Sequence, residues 1–163
     1  ERLMNKVFYG KNESVHGKIL EEPLLKAEIS VDSSVLTIQS QLFGGFWLEA
    51  LEAAVCIGNY FHVEQEQIVA ALENYRPESL RSQWKTWKTS RLLLDCYNAN
   101  PSSMEVFIQA IQKHPQTSAA LVLGEMLELG TFALEEHRKL INSIKAENFA
   151  WVALVGRHFE KLQ

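Results

Sequence analysis

Leu92-Leu93-Leu94-Asp95-Cys96-Tyr97-Asn98-Ala99-Asn100-Pro101-Ser102-Ser103-Met104 is the stretch on which the reading of this chain turns. Three apolar residues in a row predict a strand buried on both faces, as in a parallel sheet. The run stops at Asp95, and a turn dense in donors and acceptors follows. Pro101 then opens a helical pattern, with Asn100 placed to cap it. A strand that delivers polar groups into a turn before a helix sets them at the carboxyl edge of a sheet, where open α/β folds hold ligands.

Downstream, the period alternates. Arg91–Asp95 is predicted as a strand, Ser102–Lys113 as a helix and Ala119–Leu123 as a strand. Leu134–Lys145 follows as a helix and Trp151–Val155 as a strand. This β-α-β-α-β order predicts a parallel sheet with right-handed crossovers. Gly156 to Gln163 opens a further helix. Upstream, Val7-Phe8-Tyr9, Val15–Leu20, Leu25–Val31 and Val35–Ile38 are short strand-like runs. Gly10-Lys11-Asn12 and Asp32-Ser33-Ser34 supply turns, so a β-meander is expected. Two helices follow, roughly Trp47–Phe61 and Glu64–Tyr75, the second with Ile68, Leu72 and Tyr75 on one face. Arg76-Pro77-Glu78-Ser79 is the natural boundary, giving parts 1–78 and 79–163 of an α/β chain.

Bulk properties set limits. Of 163 residues, 47% are hydrophobic and 22% charged, enough apolar matter for a core. The net charge of −4 argues against a generic nucleic-acid binder. No run reaches the length of a membrane span, and Glu1 to Lys6 lead into no apolar segment of a secretory signal. Cys56 and Cys96 stand in apolar contexts and are expected as reduced core thiols, which suits a cytoplasmic protein. Trp84-Lys85-Thr86-Trp87-Lys88 alternates aromatic and basic residues, a pattern of nucleic-acid stacking; in an acidic chain it is expected to be a strand with one face on the core. The histidines show no spacing that suggests a metal.

Twenty residues beyond the first turn comes Leu121-Val122-Leu123-Gly124-Glu125-Met126-Leu127-Glu128-Leu129-Gly130, then His137 in a helical pattern. Asp-x-Tyr-Asn-Ala-Asn-Pro, followed by Gly-Glu-Met-x-Glu-Leu-Gly and a His, resembles the Mur ligases. The likeness runs from about Val55 to Gly156, and Leu80-Arg81-Ser82-Gln83 sits where those enzymes carry an Arg before the C-terminal domain. Within the family, the Tyr-Asn-Ala-Asn-Pro turn looks most like the members that add D-alanyl-D-alanine to UDP-N-acetylmuramoyl-tripeptide.

The resemblance implies a Rossmann-like C-terminal domain at 79–163, preceded at 1–78 by the end of the central, ATP-binding domain. It implies an ADP-forming ligase of cell-wall synthesis that uses ATP and Mg2+ and activates a carboxylate as an acyl phosphate. Arg81 would meet the transferring phosphate and Asp95 the ribose hydroxyls of the nucleotide. Asn98, Asn100 and His137 would face the substrate. Glu125 and Glu128 are expected to order their loop.

The chain contains no Gly-rich loop ending in Gly-Lys-Ser/Thr, which phosphoryl transfer ordinarily needs. In the family that loop, the metal ligands and a modified lysine lie upstream, so the chain alone is expected to be inactive. One departure stands out. Where the family shows His/Tyr-Asn-x-x-Asn-x-x-Ala-Ala, this chain has Phe46-Trp47-Leu48-Glu49-Ala50-Leu51-Glu52-Ala53-Ala54, without either asparagine. Two alternatives therefore stay open: a Mur-type ligase for a different amino acid, and a non-catalytic nucleotide-sensing or assembly module.

Overall fold

The computed structural model describes residues 6–11, 13–114 and 119–162. Glu1 to Asn5, and Asn12 of the first turn, lie outside that description. The chain divides into two compact units, Glu1–Pro77 and Glu78–Gln163.

The first unit is an antiparallel meander, β1 (Val15–Glu21), β2 (Leu24–Val31) and β3 (Ser34–Phe43), covered on one face by α1 (Leu48–Tyr60) and α2 (Gln65–Asn74). Alternation decides which face is covered. Leu25, Ala27, Ile29 and Val31 of β2 are fully buried and meet Leu51, Val55, Cys56 and Ile68 from the helices. The register slips between Leu24 and Lys26, and buried Ser40 answers it: its hydroxyl donates to the Leu25 carbonyl at 2.7 Å.

Two carboxylates tie the helices to the sheet. Glu52 of α1 is buried and accepts the Gly17 N–H at 2.6 Å, and Glu73 of α2 accepts the Gln39 N–H at 3.0 Å. Gly58 lets the helices meet, since a Cβ there would lie 2.8 Å from the Ile68 Cδ1. Tyr75 falls just past the end of α2 and is exposed. Val7-Phe8-Tyr9 contributes only an isolated bridge from Tyr9 to Val15.

The second unit opens with a hairpin, β4 (Gln83–Trp87) and β5 (Ser90–Leu94), turning at Lys88-Thr89. Next come α3 (Pro101–Lys113), β6 (Ala120–Gly124), α4 (Ala133–Ser143), β7 (Trp151–Val155) and α5 (Arg157–Glu160). β6 and β7 pair in parallel, Ala120 opposite Trp151 through Gly124 opposite Val155. Ile108, Leu121, Leu123, Met126, Leu140, Phe149 and Phe159 form the core. Gln112 of α3 reaches the end of α4, donating to the Ser143 carbonyl at 3.1 Å and accepting the Lys145 N–H.

The expected buried parallel strand at Leu92–Leu94 is corrected. Among the described strands, β5 pairs only with β4, antiparallel, and Leu92 is 36% exposed. A two-residue turn brings Gln83–Trp87 back along β5 at a smaller loop-closure cost than any crossover. Cys96, expected in the core, is exposed just beyond that strand, whereas Cys56 is buried. Trp84–Lys88 forms the expected strand over most of its length, but only its start is covered, and Trp87 is 60% exposed. Among the described residues, no helix is long and apolar enough to cross a membrane.

Candidate functional site

Arg81 stands on a strained segment. Ser79, Leu80 and Ser82 have φ of 56°, 61° and 47°, in the left-handed region that non-glycine residues avoid at a cost of order 1 kcal/mol each. Such a conformation persists only where its surroundings fix it, and the turn after β5 does so. The Leu80 carbonyl accepts the Cys96 N–H at 2.8 Å and the Tyr97 N–H at 3.2 Å. One residue beyond Arg81, the Ser82 N–H donates to the Asp95 Oδ1 at 2.9 Å, and Ser82 is buried. Arg81 is thus bracketed by anchored neighbours. Its guanidinium carbon lies 3.9 Å from the centre of the Tyr97 ring.

Asp95, half-buried, is therefore first of all a loop anchor: one carboxylate oxygen holds Ser82, leaving Oδ2 for a ligand. The Asn98 Oδ1 accepts the Ala99 N–H at 2.9 Å. Asn100 caps α3. Its Oδ1 accepts the Ser103 N–H at 3.0 Å and the Ser102 hydroxyl at 2.9 Å, while the Ser103 hydroxyl takes the Asn100 N–H. Both asparagines are exposed and keep their Nδ2 groups for a ligand. From Ser79 to Leu94 the chain carries Arg81, Lys85, Lys88 and Arg91 and no carboxylate, so the hairpin is cationic in an acidic chain. This turn and hairpin offer an anion a guanidinium and two amides, while the Asp95 carboxylate suits a hydroxyl donor.

His137, expected to face the substrate, lies in the core of the second unit. The ring is fully buried. Its Nε2 accepts the Met126 N–H at 2.9 Å, so Nδ1 carries the proton and donates to the Ala133 carbonyl at 2.6 Å. Both nitrogens are thus bonded inside the core. Beside it, the Glu125 Oε2 accepts from the His158 Nδ1 at 2.8 Å and from the His158 N–H at 3.2 Å. Those bonds, the backbone one foremost, hold the Glu125 carboxyl below its usual value. The His158 ring stacks on His137 with centroids 5.0 Å apart, and Phe159 meets His137 edge-on. Gly156 makes the approach possible: at φ 135°, a Cβ there would lie 2.6 Å from that of Glu125. Sequence reasoning passed over His158 and Gly156, whose importance arises from contacts about thirty residues back along the chain.

At the start of α1 the absent asparagines have a structural counterpart. Trp47 occupies the cap position without a side-chain cap bond, and its buried Nε1 finds no partner among the described residues. Among those residues, no three His, Cys, Asp or Glu side chains converge as a metal site.

Residues 80–163 match the family described as Mur ligase, glutamate ligase domain. UDP-N-acetylmuramoyl-tripeptide–D-alanyl-D-alanine ligase of Treponema pallidum is 31% identical over 107 residues, 66% of this chain and 23% of the relative. The enzyme of the same name from Bacillus subtilis is 30% identical over 122 residues, 67% of this chain and 27% of the relative. The chain therefore spans about a quarter of the length of these relatives. Among solved structures, a UDP-N-acetylmuramoylalanyl-D-glutamyl-2,6-diaminopimelate–D-alanyl-D-alanyl ligase from Acinetobacter baumannii aligns with a TM-score of 0.79. That alignment covers 93% of this chain and 33% of the other at 22% identity. A MurF ligase from Thermotoga maritima, solved in complex with ADP, aligns with a TM-score of 0.72 over 92% of this chain and 35% of the other, also at 22% identity. At such identity the structural likeness speaks for the fold, and the match over 80–163 speaks for the family. The chain belongs to the Mur ligase family.

Proposed function

We propose that this chain is part of an ATP-dependent, ADP-forming ligase that joins D-alanyl-D-alanine to UDP-N-acetylmuramoyl-tripeptide through an acyl phosphate, in the cytoplasm. The observation that carries the reading is the Arg81 segment, held in a strained conformation by Asp95, Cys96 and Tyr97 inside the part that matches the family. A planar guanidinium with fixed neighbours suits a phosphate whose charge changes during transfer. Asp95 would take a ribose hydroxyl through Oδ2, and Asn98 and Asn100 would reach the dipeptide through their amide Nδ2 groups. His137 enters the proposal only as a support for the Glu125–Met126 backbone. We assign 1–78 to the end of the central domain and 79–163 to the C-terminal domain. The phosphate loop and the Mg2+ ligands belong outside these residues, since the sequence has no loop of that kind.

A second reading, a nucleotide-sensing or assembly module without catalysis, is favoured by one observation. Trp47 and Ala50 replace the asparagines, and α1 starts without a side-chain cap. The test is phosphate release from ATP by the protein that carries these residues, with the tripeptide precursor and D-alanyl-D-alanine supplied together and singly. Release that requires both substrates supports the ligase. Binding of ADP without turnover supports the module, and release with another amino acid in place of the dipeptide changes the specificity.

A further inference from the structure

We propose that Tyr97 is a positioning residue for Arg81, a stacking platform that holds the guanidinium while leaving its edge for a phosphate. This rests on Arg81 being the phosphate contact proposed above.

The geometry is specific to this turn. The backbone on both sides of Arg81 is anchored to residues 95–97, so the only freedom left at this position lies in a long side chain. Unrestrained, that side chain would lose several rotamers on meeting a ligand. The Tyr97 ring removes part of that freedom in advance, lying under the guanidinium at 3.9 Å while its own N–H bonds the Leu80 carbonyl at 3.2 Å. One residue thus fixes both the loop and the side chain that the loop presents.

Stacking uses only the face of the guanidinium. Its five N–H groups lie in the plane and point outward, free to form the paired bonds that a phosphate accepts. Tyr97 is 62% exposed, so a core-packing role does not account for its place. A hydrogen bond to the phenol oxygen is not required by this arrangement, which predicts that phenylalanine will serve as well.

Two measurements test the proposal. The first needs no ligand. In the 163-residue chain, the Arg81 side-chain proton resonances should be displaced upfield by the ring, remain displaced in Tyr97→Phe, and return to ordinary values in Tyr97→Leu. Undisplaced resonances in the unsubstituted chain overturn the proposal.

The second is a double-mutant cycle in the ligase reaction. Tyr97→Leu should lower kcat about fivefold with KM for ATP nearly unchanged, as expected for loss of an exposed cation–π contact. Tyr97→Phe should restore most of the loss, and Tyr97→Leu should add nothing once Arg81→Ala is present. If Arg81→Ala alone leaves turnover intact, the phosphate reading fails, and this proposal fails with it. A severe loss from Arg81→Ala combined with wild-type turnover in Tyr97→Leu sinks only the positioning role. So does a Tyr97→Leu loss that persists undiminished in the Arg81→Ala background.

Discussion

Two polar turns leave strands of the second unit, and they have opposite fates. The turn after β5, Asp95 to Asn100, stays near solvent and spends its backbone N–H groups on a strained neighbour. The turn after β6, Glu125 to Gly130, starts from fully buried Met126 and is closed by His137, Glu125 and His158. The first carries Asp and Asn and the second Glu and Gly, residue types that suggest a ligand site. What separates them is where the polar atoms are used up. A buried donor or acceptor must find a partner within the protein, and once it has, it is no longer available to a ligand. Exposed groups held by anchored backbone keep their bonding capacity. A ligand site is marked by polar groups that are positioned but not consumed.

The largest effect expected from breaking this contrast is at His137. Replacing it with alanine orphans the Met126 N–H, takes a second bond from the Ala133 carbonyl, which keeps its helix bond, and opens a cavity beside Phe159. One orphaned buried amide at about 1–3 kcal/mol, with a cavity term added, makes a loss of about 3 kcal/mol reasonable. Urea unfolding of the second unit should shift accordingly, and hydrogen exchange at the Met126 amide should accelerate. An unchanged Met126 amide would show that the ring does not hold the loop. Gly156→Ala comes next. The new Cβ must enter Glu125 at an unfavourable φ, costing about 1–3 kcal/mol. A midpoint within error of the unsubstituted chain would mean that the Glu125–Gly156 approach is looser than described.

Much of the fold was legible because periodicity is a local property. Leu25, Ala27, Ile29 and Val31 alternate, and the meander follows from them. Asn100 before Pro101 announced the start of α3, and the apolar runs of β6 and β7 gave a parallel pair. Leu92-Leu93-Leu94 misled because an apolar run states a preference for burial and not the identity of its neighbour. The hairpin partner came from Gln83–Trp87, a segment expected as a strand but not as the neighbour of Leu92–Leu94. Of the site, Arg81 and Asp95 were visible as motif residues, but their mutual anchoring through Ser82 was not. Nor was the closure of His137, since its spacing on α4 is equally compatible with a cleft or a core.

Asn100→Ala sharpens the contrast from the exposed side. The cap bonds to Ser102 and Ser103 disappear, for a loss of about 1 kcal/mol. Because the Asp95 and Tyr97 bonds to the Arg81 segment do not pass through Asn100, nucleotide binding should be unaffected. A large loss of nucleotide affinity at unchanged stability would place Asn100 against the nucleotide rather than the dipeptide.

The smallest effect is a dependence on pH at Glu125. Its carboxyl titrates below the ordinary value because the His158 N–H and ring favour the charged form. The stabilisation is therefore complete above the unfolded value of about 4.3 and is lost as pH falls through the lower native value. Glu125→Gln keeps the shape and an acceptor but cannot carry the charge. The difference in urea midpoint between the two proteins should shrink as the solution becomes more acidic than about pH 4.3. Comparing the pair cancels the other carboxylates, which titrate alike in both. A difference that persists unchanged into acid would mean that the carboxylate acts through its shape alone. The second turn would then be closed by packing and hydrogen bonds, with no part for charge.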